Sequence, residues 1–561
     1  MTGHGLTFLL ILISNLSLGQ NWQWTKNLGG TGDDYGQSIA TDISGNIYVM
    51  GGFNNYTDFD PNPGAFTLSP FGSTDIYLLK LNPSGNLLWA KQMGGISYDL
   101  GSSLKIDPFG NLYTIGWFYG AADFDPGPSV YTLTPKGEYD IFISKLDPSG
   151  NFLWAKCIGD TLNEFGTSIA FDPSGNMYAT GSYAGNVDFD PNAGTSNLIS
   201  TNQDVFVLKL NPSGNFVWAR GINGNGSDEA FSITTDPSGN IYTTGMFFGT
   251  ADFDPGPGIF NLTSVGSIDN FISKLDSSGN FVWANNFGGS GIDESFCISS
   301  DLNGNIYTTG IFSGVVDFDS GPSTFTLASS GAYDIFVTKY DTNGNFVWAN
   351  KMGGNSNDYG WSISIDVIGN IYITGQFEGT ADFDPGIGIF NLTSNGSNDI
   401  FILKLDPTGS FAWVKQMGGS LNDQGRCIVL DGSNNIYTTG WFYGTCDLNP
   451  DVGIYNAISN GSTDIFVTKI GGTVGLEENS DTNNEISIYP NPSHGSFKIK
   501  TEENITNGEL LLINSLGQTL FKQKITRQTT IINSNGLPFG LYNCILVYDN
   551  QQINCGRLVI E

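Results

Sequence analysis

Residues 281–310 read FVWANNFGGSGIDESFCISSDLNGNIYTTG, followed by VVDFD at 315–319 and YDIFVTKYDTNGN at 333–345. The same pattern occurs seven times. Its tryptophans fall at Trp24, Trp89, Trp154, Trp218, Trp283, Trp348 and Trp413, at steps of 65, 65, 64, 65, 65 and 65 residues. So regular a period marks a repeat architecture in which each copy is one supersecondary unit.

Each copy holds four strand-like runs, in the fourth copy residues 232–236, 240–247, 269–275 and 281–284. They are rich in Phe, Ile, Val, Tyr, Trp and Thr, which suit a pleated, packed surface. Asp236-Pro-Ser-Gly-Asn240 and Asp276-Ser-Ser-Gly-Asn280 are hairpin turns, with Gly at the left-handed position. No stretch shows sustained helical periodicity. Seven units of four antiparallel strands predict an all-β chain built as a seven-bladed β-propeller. Apolar residues at successive positions, as in Ile335-Phe336-Val337, fit blades buried on both faces. A solenoid is the alternative. The array opens with a strand at 22–26 of the type that closes a blade and stops after 464–470, the type that precedes it. The two can pair and close the ring, leaving few free edges.

Residues 1–19 read as a signal peptide, with an apolar run at 6–13 and Ser17-Leu18-Gly19 as cleavage site, although a basic n-region is missing. No other run is long and apolar enough to span a membrane. The formal charge is −32, from 54 acids and 22 bases. Most acids belong to the repeat, as in the series starting at Asp34, Asp42, Asp58, Asp60 and Asp75. Such a surface repels nucleic acid and anionic membranes and suits divalent cations or neutral and cationic ligands. Six cysteines are too few for a disulfide scaffold. Cys544 and Cys555 flank a turn at Asp549-Asn550 in a register that sets them opposite each other, so a cross-strand disulfide is open. Cys427 and Cys446 are a weaker pair, and Cys157 and Cys297 are expected as buried free thiols.

After a polar linker at 473–485, residues 486–561 read as short strands and turns, a small β-sandwich of about 75 residues. Tyr489-Pro490-Asn491-Pro492 with Gly495, then Asn514-Ser515-Leu516-Gly517-Gln518, Gly540-Leu541-Tyr542 and the terminal Arg557-Leu558-Val559-Ile560 follow in order. This series closely resembles the type A sorting domain of the type IX secretion system. The resemblance implies export across the outer membrane of a Gram-negative bacterium by the type IX machinery, removal of the tail, and a passenger anchored to the surface or released. Arg557 stands where Lys is commoner. The repeats, residues 20–472, resemble bacterial propeller repeats with the hallmark D-x-x-G-N-x-Y-x-T-G, carried here by Asp236, Gly239, Asn240, Tyr242, Thr244 and Gly245. That family implies a fold and no single activity.

The chain has two histidines, His4 and His494, both outside the repeats. A His-based triad, a His-metal site and a His general base are therefore excluded from the repeats. Arg220 and Arg426 are their only arginines, so a sialidase-like arginine triad is excluded too. No phosphate-binding loop is present. Cleavage of glycosides by two carboxyl groups about 5–10 Å apart survives. Catalytic acids should break the repeat symmetry, and the off-pattern acids Glu138, Glu229, Glu294 and Glu378 show no pairing in the sequence.

The clearest ligand motif is D-F-D: Asp58/Asp60, Asp123/Asp125, Asp188/Asp190, Asp252/Asp254, Asp317/Asp319 and Asp382/Asp384, with Asp447/Asn449 as its degenerate copy. Alternate residues of an extended segment share a side, so these pairs could offer oxygen ligands to calcium. Equally, they could cap turns by accepting backbone N–H bonds. The uniform Asp75-type and Lys80-type positions read as structural.

Sites are better sought where copies differ. The residue entering the first strand of each blade is Gln37, Ser102, Thr167, Phe231, Phe296, Trp361 or Arg426, and these would crowd one mouth of an axial channel. The position after the T-G strand end is Gly52, Trp117, Ser182, Met246, Ile311, Gln376 or Trp441, with Trp117 and Trp441 in identical WFYG runs. Exposed aromatics stack on sugars or anchor proteins, though they can also simply pack between blades. The expected molecule is a monomeric, exported, non-catalytic binding or scaffold propeller, adhesin-like, with a polysaccharide or surface protein as partner. A carboxylate-dependent carbohydrate-active enzyme and a surface-layer component are the alternatives.

Overall fold

The computed structural model describes residues 20–471 except 108, and in the tail 487–489, 493, 496–501, 508–513, 519–533, 537, 540–548 and 551–560. The expected signal peptide and linker lie outside them. Every regular element among the described residues is a β-strand. In the fourth copy Glu229–Thr235, Ile241–Phe247, Asp269–Leu275 and Phe281–Phe287 pair antiparallel in that order. The first begins three residues before its expected start and the last runs three beyond its expected end, because ladder bonds continue past the apolar runs.

The repeat hallmark is a hydrogen-bonding device. Asp236 accepts the backbone N–H groups of Ser238 and Asn240, the Asn240 amide and the Tyr242 hydroxyl. Lys274 sits 5.0 Å from the centre of the Tyr242 ring and donates to the carbonyl of Thr342 in the next copy at 2.7 Å. The invariant Trp packs on that same turn. A Cβ added to Gly344, at φ 82°, would lie 2.8 Å from Trp283 Cδ2, so the turn needs glycine for its backbone and for its neighbour.

Successive copies touch through their first strands, and the first strand of the seventh copy, Gln424–Leu430, touches Asp34–Thr41 of the first. Trp22–Gly30 pairs antiparallel with Asn456–Ile470, Leu28 opposite Ile465. Lys469 donates to the Pro83 carbonyl at 3.3 Å, the bond Lys274 makes between the fourth and fifth copies. Core side chains lie between copies, as where Ile335 and Val337 meet Ile371, Phe377 and Phe401. Around the axis, the Ser38, Ser103, Ser168, Ser232 and Ser362 hydroxyls each accept a backbone N–H from the following first strand.

Two of the uniform acidic series meet at these seams. A Cβ on Gly353 would lie 2.8 Å from Asp334 Cγ and 2.9 Å from Asp358 Oδ2, so both carboxyl groups crowd one glycine. Burial pushes Asp34, Asp293 and Asp423 up to about 6, Asp99, Asp228 and Asp358 to about 7, and Glu164 to about 8.

In the tail, Ser487–Tyr489, Ser496–Lys500 and Thr529–Asn533 form one sheet; Gly508–Ile513, Thr519–Ile525, Gly540–Tyr548 and Gln551–Ile560 form another. Phe497 and Ile499 of the first pack with Leu510, Leu512 and Tyr542 of the second. Cys544 pairs with Gly556 beside a β-bulge, which displaces Cys555 from the directly opposite position expected of it. The side chain of residue 555 lies outside the description. Cys427 and Cys446 are both free thiols. Cys157 and Cys297, expected to be buried, are half-buried free thiols, the first 3.3 Å from an Asp140 oxygen and the second facing the axial channel.

Candidate functional site at one mouth of the axial channel

Each first strand carries a β-bulge at one level. Ala230 opposes Gly245 and Ser232 opposes Thr244, leaving Phe231 without an opposite number; Gln37, Ser102, Thr167, Phe296, Trp361 and Arg426 stand in the same position. A bulge re-aims its extra side chain. Here it turns all seven toward the axial channel that the first strands line. The mouth therefore presents seven equivalent positions that differ in their side chains.

Its two arcs differ in chemistry. Gln37, Ser102 and Thr167 form a small polar arc. Opposite, Phe231 and Phe296 lie 5.8 Å apart, and Phe296 stacks on Trp361 at 4.3 Å and 27°. Tyr359 lies parallel to Trp361 at 5.4 Å. The Arg426 guanidinium carbon sits 4.1 Å from the centre of Trp361 and 5.0 Å from that of Trp441, and Trp441 meets Tyr35 edge-on at 5.2 Å. Arg426 Nε donates to Gln37 Oε1 at 3.4 Å, and no carboxylate among the described residues pairs with it. Burial lowers its pKa to about 10, which leaves it cationic at neutral pH.

Glu229 and Glu294 stand two residues before Phe231 and Phe296, where the other copies have Tyr35, Leu100, Phe165, Tyr359 and Gln424. Both are half-buried. Burial raises both pKa values, and the Glu229 charge raises that of Glu294 further. Neither carboxylate has a hydrogen-bond or ion-pair partner among the described residues. They stand 65 residues apart in the sequence, where the one available signal is that both interrupt an apolar or neutral column.

The expected rim residues divide. Phe231, Phe296, Trp361 and Arg426 line the channel and Trp441 touches Arg426. Trp117 stands apart in its own cluster, stacked on Tyr98 at 5.2 Å and edge-on to Tyr139 and Phe165 at 5.0 and 5.5 Å, between the second and third copies. The D-F-D acids lie where a strand ends and its loop begins, the first Asp closing the strand in each pair. Asp252 Oδ1 accepts the N–H groups of Asp254 and Phe260, and Asp254 Oδ1 accepts that of Gly256. Asp58, Asp123, Asp188, Asp317 and Asp382 accept in the same way, with Asp60, Asp125, Asp190, Asp319 and Asp384 closing the second turn. Among the described residues no three His, Cys, Asp or Glu side chains converge at a spacing that could hold a metal ion. Of the sorting motif, Tyr489 is exposed, Tyr542 is buried and Gly540 begins a strand. Pro490, Asn491, Pro492, Gly495 and Gly517 lie outside the described residues. No helix among the described residues is long and apolar enough to cross a membrane.

Comparison with known proteins places residues 487–561 in the secretion system C-terminal sorting domain family, and residues 23–52, 217–246 and 412–441 in the β-propeller repeat family. An uncharacterized WD repeat-containing protein, L264, of Acanthamoeba polyphaga mimivirus is 25% identical over 452 residues, covering 66% of this chain and 32% of its own. The regulatory protein FlaEY of Caulobacter vibrioides is 21% identical over 425 residues, covering 71% of this chain and 42% of its own. The chain thus spans less than half the length of either relative. Among solved structures, a copper-bound fungal alcohol oxidase of the AA5 family aligns at a TM-score of 0.43 and 13% identity over 96% of this chain and 99% of its own, too low to carry an argument. The chain is accordingly an all-β protein of β-propeller repeats that ends in a type IX C-terminal sorting domain, which directs it to the cell surface or extracellular space.

Proposed function

We propose that the seven copies close into a seven-bladed propeller over residues 20–472, followed after a linker by a sandwich-type sorting domain, and that the propeller is a monomeric, non-catalytic binding module. The ligand site is the mouth ringed by Phe231, Phe296, Trp361, Arg426 and Trp441. One observation carries this reading: the bulge positions are identical in backbone, yet their side chains segregate into a small polar arc and an aromatic, cationic one. A structural ring has no need of that asymmetry, whereas a ligand with one flat apolar face and one polar face would use it. Surface polysaccharides and surface or matrix proteins are the candidate partners.

The Glu229–Glu294 pair favours a second reading, a carboxylate-dependent carbohydrate-active enzyme, because two off-pattern carboxyl groups stand at matching positions of successive first strands and burial raises the pKa of both. A binding screen of the exported protein against polysaccharides and matrix proteins separates the two. Binding without new reducing ends supports the module; new reducing ends establish the enzyme; neither leaves a scaffold that acts through its own outer loops.

A further inference from the structure

The repeats hold two arginines, and their surroundings differ. Arg220 is satisfied by backbone: Nε donates to the Gly279 carbonyl at 2.9 Å, Nη1 to that of Ala219 at 2.9 Å and Nη2 to that of Ser278 at 3.4 Å. Arg426 is held by its faces instead. Trp361 and Trp441 flank the guanidinium and Nε reaches Gln37, yet Nη1 and Nη2 have no hydrogen-bond or ion-pair partner among the described residues. The next two bulge positions continue the pattern. The Gln37 amide nitrogen and the Ser102 hydroxyl also lack a partner among the described residues, whereas Thr167 donates to the Ala230 carbonyl at 2.7 Å. The first strands of the seventh, first and second copies touch in that order, so the unused donors of Arg426, Gln37 and Ser102 lie along one side of the mouth.

Charge on the channel wall follows the same side. Lys105 lines the channel three residues beyond Ser102, where the other six copies have Ala, Thr, Ser or Val. On an extended strand that is roughly 10 Å further in. Lys105 too has no hydrogen-bond or ion-pair partner among the described residues. The acids that line the channel, Asp42, Asp301, Asp366 and Asp431, belong to the D-x-x-G-N turns, and each already accepts two backbone N–H groups. A chain of net charge −32 thus sets two unpaired cations on its channel wall. A half-buried guanidinium without an anion is costly, and its two Nη groups match the two oxygens of a carboxylate. Gln37 and Ser102 add hydrogen bonds for hydroxyl groups next to that carboxylate. A uronate ring carries carboxylate and hydroxyls on one rigid frame, whereas an acidic peptide side chain loses more freedom when it is held.

We propose that Arg426, with Gln37 and Ser102 beside it, is the recognition point for a carboxylate, and that the ligand of the mouth is an acidic saccharide of the uronate class. The proposal deepens the mouth reading and rests on it. Lys105, deeper in the channel, adds attraction through its field. The acidic surface elsewhere repels such a ligand, so its binding requires a local cationic site.

The test uses the full chain in about 0.15 M salt, which screens long-range repulsion from the acidic surface. Tryptophan fluorescence is the readout, since Trp361 and Trp441 flank Arg426. The probes are trigalacturonic acid, its neutral methyl ester and acetyl-Gly-Asp-Gly-amide. The expected result is saturable binding of trigalacturonic acid, weaker by about tenfold or more for the methyl ester and in R426Q. R426K should recover only part of the loss, because an ammonium keeps the charge without the fork. K91Q, which removes a cation from the strand Leu87–Gly95, should bind as the parent does. Equal binding of acid and methyl ester, lost in F231A/W361A, would overturn the carboxylate while leaving the mouth as a ligand site. Binding of the aspartate peptide in place of trigalacturonic acid would overturn the saccharide. No binding of any probe would overturn the proposal. The mouth reading then stands if a neutral ligand from the wider screen loses affinity in F231A/W361A, and falls with it if none does.

Discussion

Trp361 stacks on Phe296 with ring centres 4.3 Å apart, and the Arg426 guanidinium covers Trp361 at 4.1 Å. One indole thus joins three successive copies across the channel mouth. The stack gives rigid aromatic surface without placing any of it in the blade core, where Ile and Phe already fill the seams. Trp361→Ala should leave the ring folded while lowering its stability by about 1–3 kcal/mol, and Trp361→Phe should recover most of the loss. Urea unfolding of the two variants measures this; equal losses would place the stabilisation outside the aromatic stack.

The buried acids predict an inverted acid response. In Asp34, Asp99, Glu164, Asp228, Asp293, Asp358 and Asp423 burial lifts the folded pKa above an unfolded value of about 4. The protonated forms favour the folded state, so this stability is complete below the unfolded pKa and is lost as pH rises through about 6 to 8. The melting temperature should rise by about 5 °C or more between pH 8.5 and pH 5. A melting temperature that falls over that range would show these carboxyl groups ionised in the fold.

The pairing of the first strand with the last, which the proposed ring requires, makes another prediction. Trp22–Gly30 covers an edge of Asn456–Ile470 that would otherwise be open. Deleting residues 20–30 should give a protein that aggregates or swaps strands between chains, because an unpaired edge recruits another strand. Light scattering reports it; an unchanged monomeric mass would mean that the ring does not need this strand.

For the outer D-F-D loops, chelation should do nothing. Asp252 Oδ1 is engaged by two backbone N–H groups, as a turn cap would be. Asp252→Ala should cost about 1–3 kcal/mol in the presence or absence of calcium. A melting temperature that rises with calcium and falls with chelator would restore the loops as cation sites.

Much of this organisation could be read from the chain. The Trp24-to-Trp413 period, the four apolar runs and the D-x-x-G-N turns correspond to the strands and hairpins observed, because each depends on local pattern and turn chemistry. The mouth was only half legible. The variable column from Gln37 to Arg426 stood out by its differences, but the bulge that aims it inward comes from a register shift with no residue of its own. Trp117 and Trp441 sit in identical WFYG runs, yet one meets Tyr98 and Phe165 and the other Tyr35 and Arg426. Neighbours across a seam are set by the adjoining copy. Glu229 and Glu294 stood out singly as off-pattern acids, but their surroundings were hidden for the same reason.

In the proposed binding module the aromatic, cationic arc of the mouth holds the ligand. This is tested most directly by measuring, with whichever ligand the screen returns, the affinities of the parent, of Phe231→Ala/Trp361→Ala and of Trp117→Ala, whose indole lies outside the channel. The expected result is a loss of about tenfold or more in the double variant, with Trp117→Ala at parental affinity. Parental affinity in the double variant, or a loss confined to Trp117→Ala, would contradict it.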